Sequence, residues 1–311
     1  MTEHWSTMKE AGALRGMRFL VAIYDIFGRT VFNLILVPVM AYFFVRRASA
    51  RRASQNYLCR VKKHYPGSLP NRPLNWLIFC HFLAFGQSLL DKYIAWSKTR
   101  TDIAMAPDEE KMLFEMVSSG NGCLVIGSHF GNLEYSRGIS GRHPELVINV
   151  LLYDQHSENF AALIEGAKSE SRMNLIQVTD IDIALALELR ERVQRGEWVV
   201  IAGDRIPVGE GKRVSRACFF GDQAEFPIGP YVLANLLHCP VYLMHCYLDQ
   251  GDYFVSVEHF EENLKLDRKN RQQAYDNATQ KFAGALEKQV ARRPLQWFNF
   301  YDFWNDEDKR A

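Results

Sequence analysis

The longest apolar stretch of the chain lies near its start, from Met17 to Val45 (MRFLVAIYDIFGRTVFNLILVPVMAYFFV). Its uncharged part, Thr30–Val45, falls a little short of the ~20 residues a helix needs to cross a bilayer. Extending it towards the N-terminus brings in Arg29 and Asp25, which are costly at mid-membrane unless paired or held near an interface. Pro38 predicts a kink. The run ends at Arg46-Arg47 with no small-residue cleavage site, so a secretory signal fits poorly. A single-pass or embedded anchor and an amphipathic helix in the headgroup region both fit, and a core helix of a soluble enzyme is the competing explanation. A second apolar segment, Trp76–Leu90, predicts a packed or membrane-grazing helix. Residues 65–75, with three prolines and a glycine, separate the two segments.

Past a weaker break at Thr101–Pro107, short apolar runs alternate with helix-length segments, the pattern of layered α/β proteins. Strands are predicted at Cys123–Gly127, Leu146–Leu152, Asn174–Val178, Trp198–Ala202 and Val241–Tyr247, with Tyr253–Val257 as an antiparallel neighbour. Helices are predicted at Ser157–Ser169, Ile181–Arg195, Pro230–Leu237 and Arg271–Val290. In Ile181–Arg195, apolar residues recur at Ile181, Leu185, Leu189 and Val193. The expected fold class is α/β, a mixed central sheet flanked by helices, with an N-terminal helical membrane-associating region. The expected division is residues 1–100 for that region and 101–311 for the α/β domain.

Composition is ordinary for a globular chain: 48% apolar and 23% charged over 311 residues, which excludes disordered and fibrous classes. The net charge of +1 hides an uneven distribution. No acidic residue lies between Asp25 and Asp91, while Arg29, Arg46, Arg47, Arg51, Arg52, Arg60, Lys62, Lys63 and Arg72 do. An apolar and basic N-terminal region on a mildly acidic body points first to a phospholipid surface and second to nucleic acid. The arginine cluster lacks a groove-reading helix or a stacking platform, so nucleic acid is not expected as a partner. The six cysteines form no C-x-x-C pair and several sit in apolar runs, which predicts reduced, buried thiols in a cytosol-facing protein.

The sharpest local feature is Gly127-Ser128-His129-Phe130-Gly131-Asn132-Leu133-Glu134, directly after the Cys123–Gly127 strand. An imidazole there would stand at the mouth of a parallel sheet, where open α/β folds place their ligand crevices. Glu134 follows five residues on, about one and a half helical turns. Were a helix to begin just after His129, its carboxylate would fold back onto the ring, fix the tautomer and leave the other nitrogen as a proton acceptor. Such a base is worth roughly 10²–10⁴ in rate. A packed or capping histidine is the plainer explanation of the same residue. Gly203–Lys212 lacks the spacing of a phosphate-binding loop, and His143, His156, His238 and His245 lack metal-type spacing, so neither a metal nor a cofactor is expected. The aromatic tail Trp297–Trp304 suits core packing, with the lining of an acyl tunnel as the alternative.

H-x-x-x-x-[D/E] after a buried strand, preceded by an apolar anchor with trailing arginines, resembles the lysophospholipid acyltransferase superfamily. The closer resemblance is to its lipid A biosynthesis (late) acyltransferase branch, from Arg18 to about Trp304. The branch's glycine–aspartate block appears as Gly203-Asp204-Arg205, and its following basic residues as Lys212-Arg213. Cys218-Phe219-Phe220-Gly221, Phe226-Pro227-Ile228-Gly229-Pro230 and Pro240-Val241 continue the match in order. Two departures stand out. Arg205 occupies a place where that branch commonly has Gln, and Pro294–Trp304 replaces its basic tail segment. The second fits an acceptor other than bis-phosphorylated lipid A, such as another lipid, an aryl-polyene-like product or another glycolipid.

The resemblance implies transfer of a fatty acyl group from a thioester of acyl carrier protein or CoA to a hydroxyl of a lipid or glycolipid, at the cytoplasmic face of the cell inner membrane. His129 would be the general base and Glu134 would orient it. Arg205 and Arg213 would stabilise the oxyanion or hold a phosphate. Asp204 would support the loop beside the site, Gly131 would permit close packing next to the reacting groups, and Asn132 would cap or hydrogen-bond locally. The alternative from another class is a non-catalytic membrane-binding partner in a lipid pathway.

Overall fold

The computed structural model describes residues 13–97, 102–152, 173–178, 182–206, 213–265 and 269–304. Three N-terminal helices come first: α1 (Ala13–Arg46), α2 (Ala48–His64) and α3 (Leu74–Ser97). In α1 the break falls at Gly28, whose φ of 77° and ψ of −178° leave the helical region, and not at Pro38, through which the helix continues. Glycine alone takes that backbone cheaply. The two charges expected to be awkward in this helix are both paired. Arg29 bonds the buried Asp91 of α3, and the Asp25 carboxylate accepts a bond from the Tyr93 hydroxyl at 3.1 Å. Phe32, Leu36 and Met40 form one buried face of α1 at a spacing of four. They pack so closely on α3 that a Cβ on Gly86 would meet Leu36 at 2.8 Å and Met40 at 3.0 Å.

The rest alternates strand and helix: α4 (Pro107–Ser118), β1 (Cys123–Gly127), a 3₁₀ turn (Leu133–Ser136), α5 (Arg137–Arg142), β2 (Ile148–Leu152) and β3 (Met173–Gln177), then α6 (Ile183–Gln194) and β4 (Trp198–Ala202). After these come β5 (Val214–Phe219), β6 (Asp222–Pro227), α7 (Gly229–Leu237), β7 (Val241–Asp249), β8 (Asp252–Glu261), α8 (Arg271–Arg292) and a closing 3₁₀ turn (Pro294–Gln296). The central sheet has six strands in the order β3-β2-β4-β1-β7-β8. Its first five are parallel, and β8 pairs antiparallel with β7, so the sheet is mixed as expected. The helix expected at Ser157–Ser169 lies outside the described residues, as does Ile181 of the next one. The start of α6 is set by Asp182, whose side chain accepts from the Leu185 N–H at 2.8 Å.

The β5–β6 hairpin was not foreseen. It forms a separate antiparallel pair whose buried positions alternate along Val214–Phe219, turning at Phe220 and Gly221, both at positive φ. Five of the expected strands lie within two residues of the observed bounds, and Tyr253–Val257 is the middle of the longer β8. Cys123, Cys239 and Cys246 are buried free thiols, whereas Cys59 and Cys218 are exposed and Cys80 half-buried, so burial holds for half of the six. One apolar cluster runs from Phe32, Leu36 and Met40 through Tyr57 and Leu58 of α2 to Leu124 and Ile126 of β1 and to Trp297. The N-terminal helices therefore share a core with one face of the sheet.

Candidate active site

β1 and β4 are parallel neighbours with Gly127 opposite Ala202. Gly203 extends the ladder by one bond to the Gly127 carbonyl, at 2.9 Å. Two residues past each strand stands a polar side chain, His129 after β1 and Asp204 after β4. The shared register therefore sets them side by side at the carboxyl edge of the sheet. His129 Nδ1 and Asp204 Oδ1 are 2.8 Å apart, and the His129 backbone N–H donates to Asp204 Oδ2 at 2.9 Å. The Trp297 indole N–H reaches the same Oδ2 at 3.0 Å. Asp204 is almost wholly buried, while the side chain of His129 keeps 31% of its surface open.

The electrostatics fix the protonation pattern. Burial alone would raise the Asp204 pKa, but the His129 ring and backbone N–H and the Trp297 indole outweigh it and hold the group below the ordinary carboxylate value. Burial lowers the His129 pKa, Arg205 and Lys92 lower it further, and Asp204 raises it, with a net value below that of an ordinary histidine. At neutral pH the pair is thus an ionised carboxylate accepting a proton-bearing Nδ1 from a neutral imidazole. Nε2 is left with its lone pair.

Residues 129–132 are clamped between two backbone segments. The Phe298 N–H donates to the His129 carbonyl at 3.1 Å, and the Gly131 N–H to the Gln296 carbonyl at 2.7 Å. On the other side the Asn132 N–H donates to the Cys246 carbonyl of β7 at 2.6 Å. Gly131 is at φ 71°, and a Cβ there would stand 1.8 Å from the Cys246 oxygen, so this place admits only glycine without displacing the loop. Asn132 is buried and makes no cap bond. Its amide reaches across to the Ser88 carbonyl of α3 at 3.1 Å, a long-range tie where a local one was expected.

The carboxylate expected to orient His129 was that of Glu134. No helix starts just after His129. The chain turns at Gly131, at positive φ, before the 3₁₀ turn begins at Leu133, and Glu134 Oε1 sits 2.8 Å from Lys92 Nζ of α3. Asp204 holds Nδ1 instead. Arg205 Nη2 donates to the Phe298 carbonyl at 3.1 Å, while Arg213 is exposed at the start of the hairpin. Of the residues singled out from sequence, the fold gathers His129, Asp204, Arg205, Gly131 and Asn132 around one loop, with Glu134 beside it on Lys92. Lys92 and Trp297 were not foreseen in these roles, because nothing local announces which strand ends will meet. The only signal was that Gly203-Asp204 follows its strand just as Ser128-His129 follows its own.

The family model of bacterial lipid A biosynthesis acyltransferases matches residues 75–306. The chain belongs to this family. No curated protein matches it. The family region begins at α3 and ends just past Trp304, so it contains every residue of the site and both backbone clamps around His129. Membership makes the chain an acyltransferase by family. Together with the apolar, largely unburied helix Gly16–Arg46, it suggests membrane association.

Proposed function

We propose that the chain is an O-acyltransferase of the inner-membrane cytoplasmic face, moving a fatty acyl group from an acyl carrier protein or CoA thioester to a hydroxyl of a lipid or glycolipid. The observation that carries the reading is the 2.8 Å bond from the His129 ring to buried Asp204 in a family of acyltransferases. With Nδ1–H committed to Asp204, Nε2 takes the acceptor's hydroxyl proton as its oxygen attacks the thioester carbonyl. The tetrahedral intermediate collapses to the new ester. The sulfur leaves with the proton held on Nε2, so the imidazole returns to its neutral form and no acyl-enzyme forms. Arg205, close enough to His129 to depress its pKa, is the candidate for stabilising the oxyanion or a phosphate of the substrate. Gly131 and Asn132 hold the loop that carries the base, Glu134 with Lys92 lines its mouth, and Arg213 is available to a bound headgroup.

The test is acyl transfer by the full chain in detergent, with acyl-CoA or acyl carrier protein thioester as donor and a bacterial lipid extract as acceptor. His129→Ala is expected to abolish product detected by lipid mass spectrometry. Asp204→Asn is expected to lower turnover by roughly 10²–10⁴, because the amide no longer selects the Nδ1–H tautomer. Undiminished transfer by His129→Ala would remove the mechanism. Absence of transfer by the parent chain with either donor would favour a non-catalytic membrane partner.

A further inference from the structure

A second histidine lies buried behind the pair. His81 of α3 has no exposed surface, and its two ring nitrogens are both engaged. Nε2 is 2.9 Å from the Trp297 carbonyl, and Nδ1 is 2.9 Å from the Ser54 hydroxyl of α2. A carbonyl only accepts, so Nε2 carries the proton and Nδ1 accepts from Ser54. The groups around the ring are uncharged: Tyr57 of α2, Phe298, and Phe300 stacked at 4.5 Å. Desolvation drives the His81 pKa down to about 4, against a smaller opposing effect of the Trp297 carbonyl, so the ring is neutral and its tautomer fixed. Tyr57 adds a parallel tie, donating to the Pro294 carbonyl at 2.6 Å and packing on the Trp297 ring at 5.0 Å. Trp297 is thus held through its carbonyl by His81 while its indole holds Asp204.

We infer that His81 is a positioning residue for acyl transfer, fixing Trp297 so that the indole N–H keeps Asp204 aligned on His129. The inference rests on the reading of His129 as the base. It makes the junction of α2 and α3 part of the active-site scaffold, since the path Ser54–His81–Trp297–Asp204–His129 crosses from those helices to the sheet edge in four hydrogen bonds. A buried polar path of this kind specifies one arrangement only while every member is satisfied.

The test uses the full chain in detergent micelles with isotopically labelled histidine, the His129 resonance being assigned with His129→Ala. His81→Phe keeps an aromatic ring among Phe298 and Phe300 but removes both bonds, and His81→Gln retains a donor for the Trp297 carbonyl. Asp204 raises the His129 pKa, so a looser Asp204 lowers it. His81→Phe is expected to titrate His129 at lower pH than the parent chain, and to lower kcat about tenfold with KM for the acyl-CoA thioester unchanged within twofold. His81→Gln is expected to recover most of both, and His81→Phe to add little in a Trp297→Phe background, where the link is already cut. An unshifted His129 titration in His81→Phe, equal losses in the two His81 variants, or additive losses with Trp297→Phe would overturn the inference. The titration decides it even where no turnover is found. Activity surviving in His129→Ala would instead strike the base assignment alone.

Discussion

A general base works only in the fraction of molecules that carry it unprotonated, so under the proposed mechanism the charges around His129 set the pH range of acyl transfer. Its pKa lies below the ordinary histidine value through burial first and Arg205 second, opposed by Asp204. Activity should therefore persist into mildly acidic solution and fall as pH drops through that depressed value. Replacing Arg205 by Gln, the residue its branch commonly has there, removes a positive charge and must raise the His129 pKa. The acidic limb of log(kcat/KM) against pH is then expected to move to higher pH in Arg205→Gln, with the plateau above it reporting any separate loss of oxyanion stabilisation. A limb that stays in place, or moves to lower pH, would show that Arg205 does not act on the ring. At this scale the sequence was informative about identity and misleading about pairing. His129, Asp204 and Arg205 were all singled out, but proximity along the chain favoured Glu134 as the ring's partner. The decisive neighbour is 75 residues away, and only the β1–β4 register brings it to 2.8 Å.

Elements carrying a strong period were legible, and those that depend on partners were not. β1 and β4 were placed to the residue, because both are continuous apolar runs buried on two faces of a parallel sheet. The β5–β6 hairpin was missed because its alternation, buried at Ser215, Ala217 and Phe219, uses small and polar residues that do not stand out as a strand. The break in α1 was assigned to Pro38, yet the helix yields at Gly28. The turn that follows delivers Arg29 to Asp91, whose other oxygen accepts from Tyr253 at 2.8 Å. A charge inside an apolar helix, awkward in the sequence, thereby becomes the tie of α1 to α3. Arg29→Met should leave the buried Asp91 carboxyl without its guanidinium partner, with the Tyr253 hydroxyl still on it, at a cost of about 1–3 kcal/mol. Thermal unfolding in detergent is expected to show that loss, with Asp91→Asn in the same chain recovering part of it. An unchanged melting temperature in Arg29→Met would make the pair incidental.

For the whole molecule, the remaining question is what the free side of α1 meets. Phe32, Leu36 and Met40 are buried on α3, but Ile26, Leu34 and Val45 are about 70% exposed, and Phe19, Phe27 and Trp76 over half. So many large apolar side chains, all on α1 except Trp76 of α3, exceed what scattered surface exposure explains, and mark an interaction face. The next element, α2, exposes Arg52, Lys62 and Lys63 and follows Arg46, so an apolar face adjoins a basic one, the arrangement that suits an anionic lipid surface. Since α2 also supplies Ser54 to the buried path behind His129, the helices that carry this face and the His129–Asp204 pair belong to one packed body. Leu34 and Val45 lie on the exposed side and away from the α3 contact, so changing both to Glu should spare the fold while removing apolar contact worth roughly 1.5–3 kcal/mol apiece and adding charge repelled by anionic lipid. In flotation with vesicles containing phosphatidylglycerol, the parent chain is expected to rise with the lipid and Leu34→Glu/Val45→Glu to remain largely at the bottom. The His129 titration should be the same in both. Flotation of the double variant at the parent level would mean that this face is not what holds the protein to lipid.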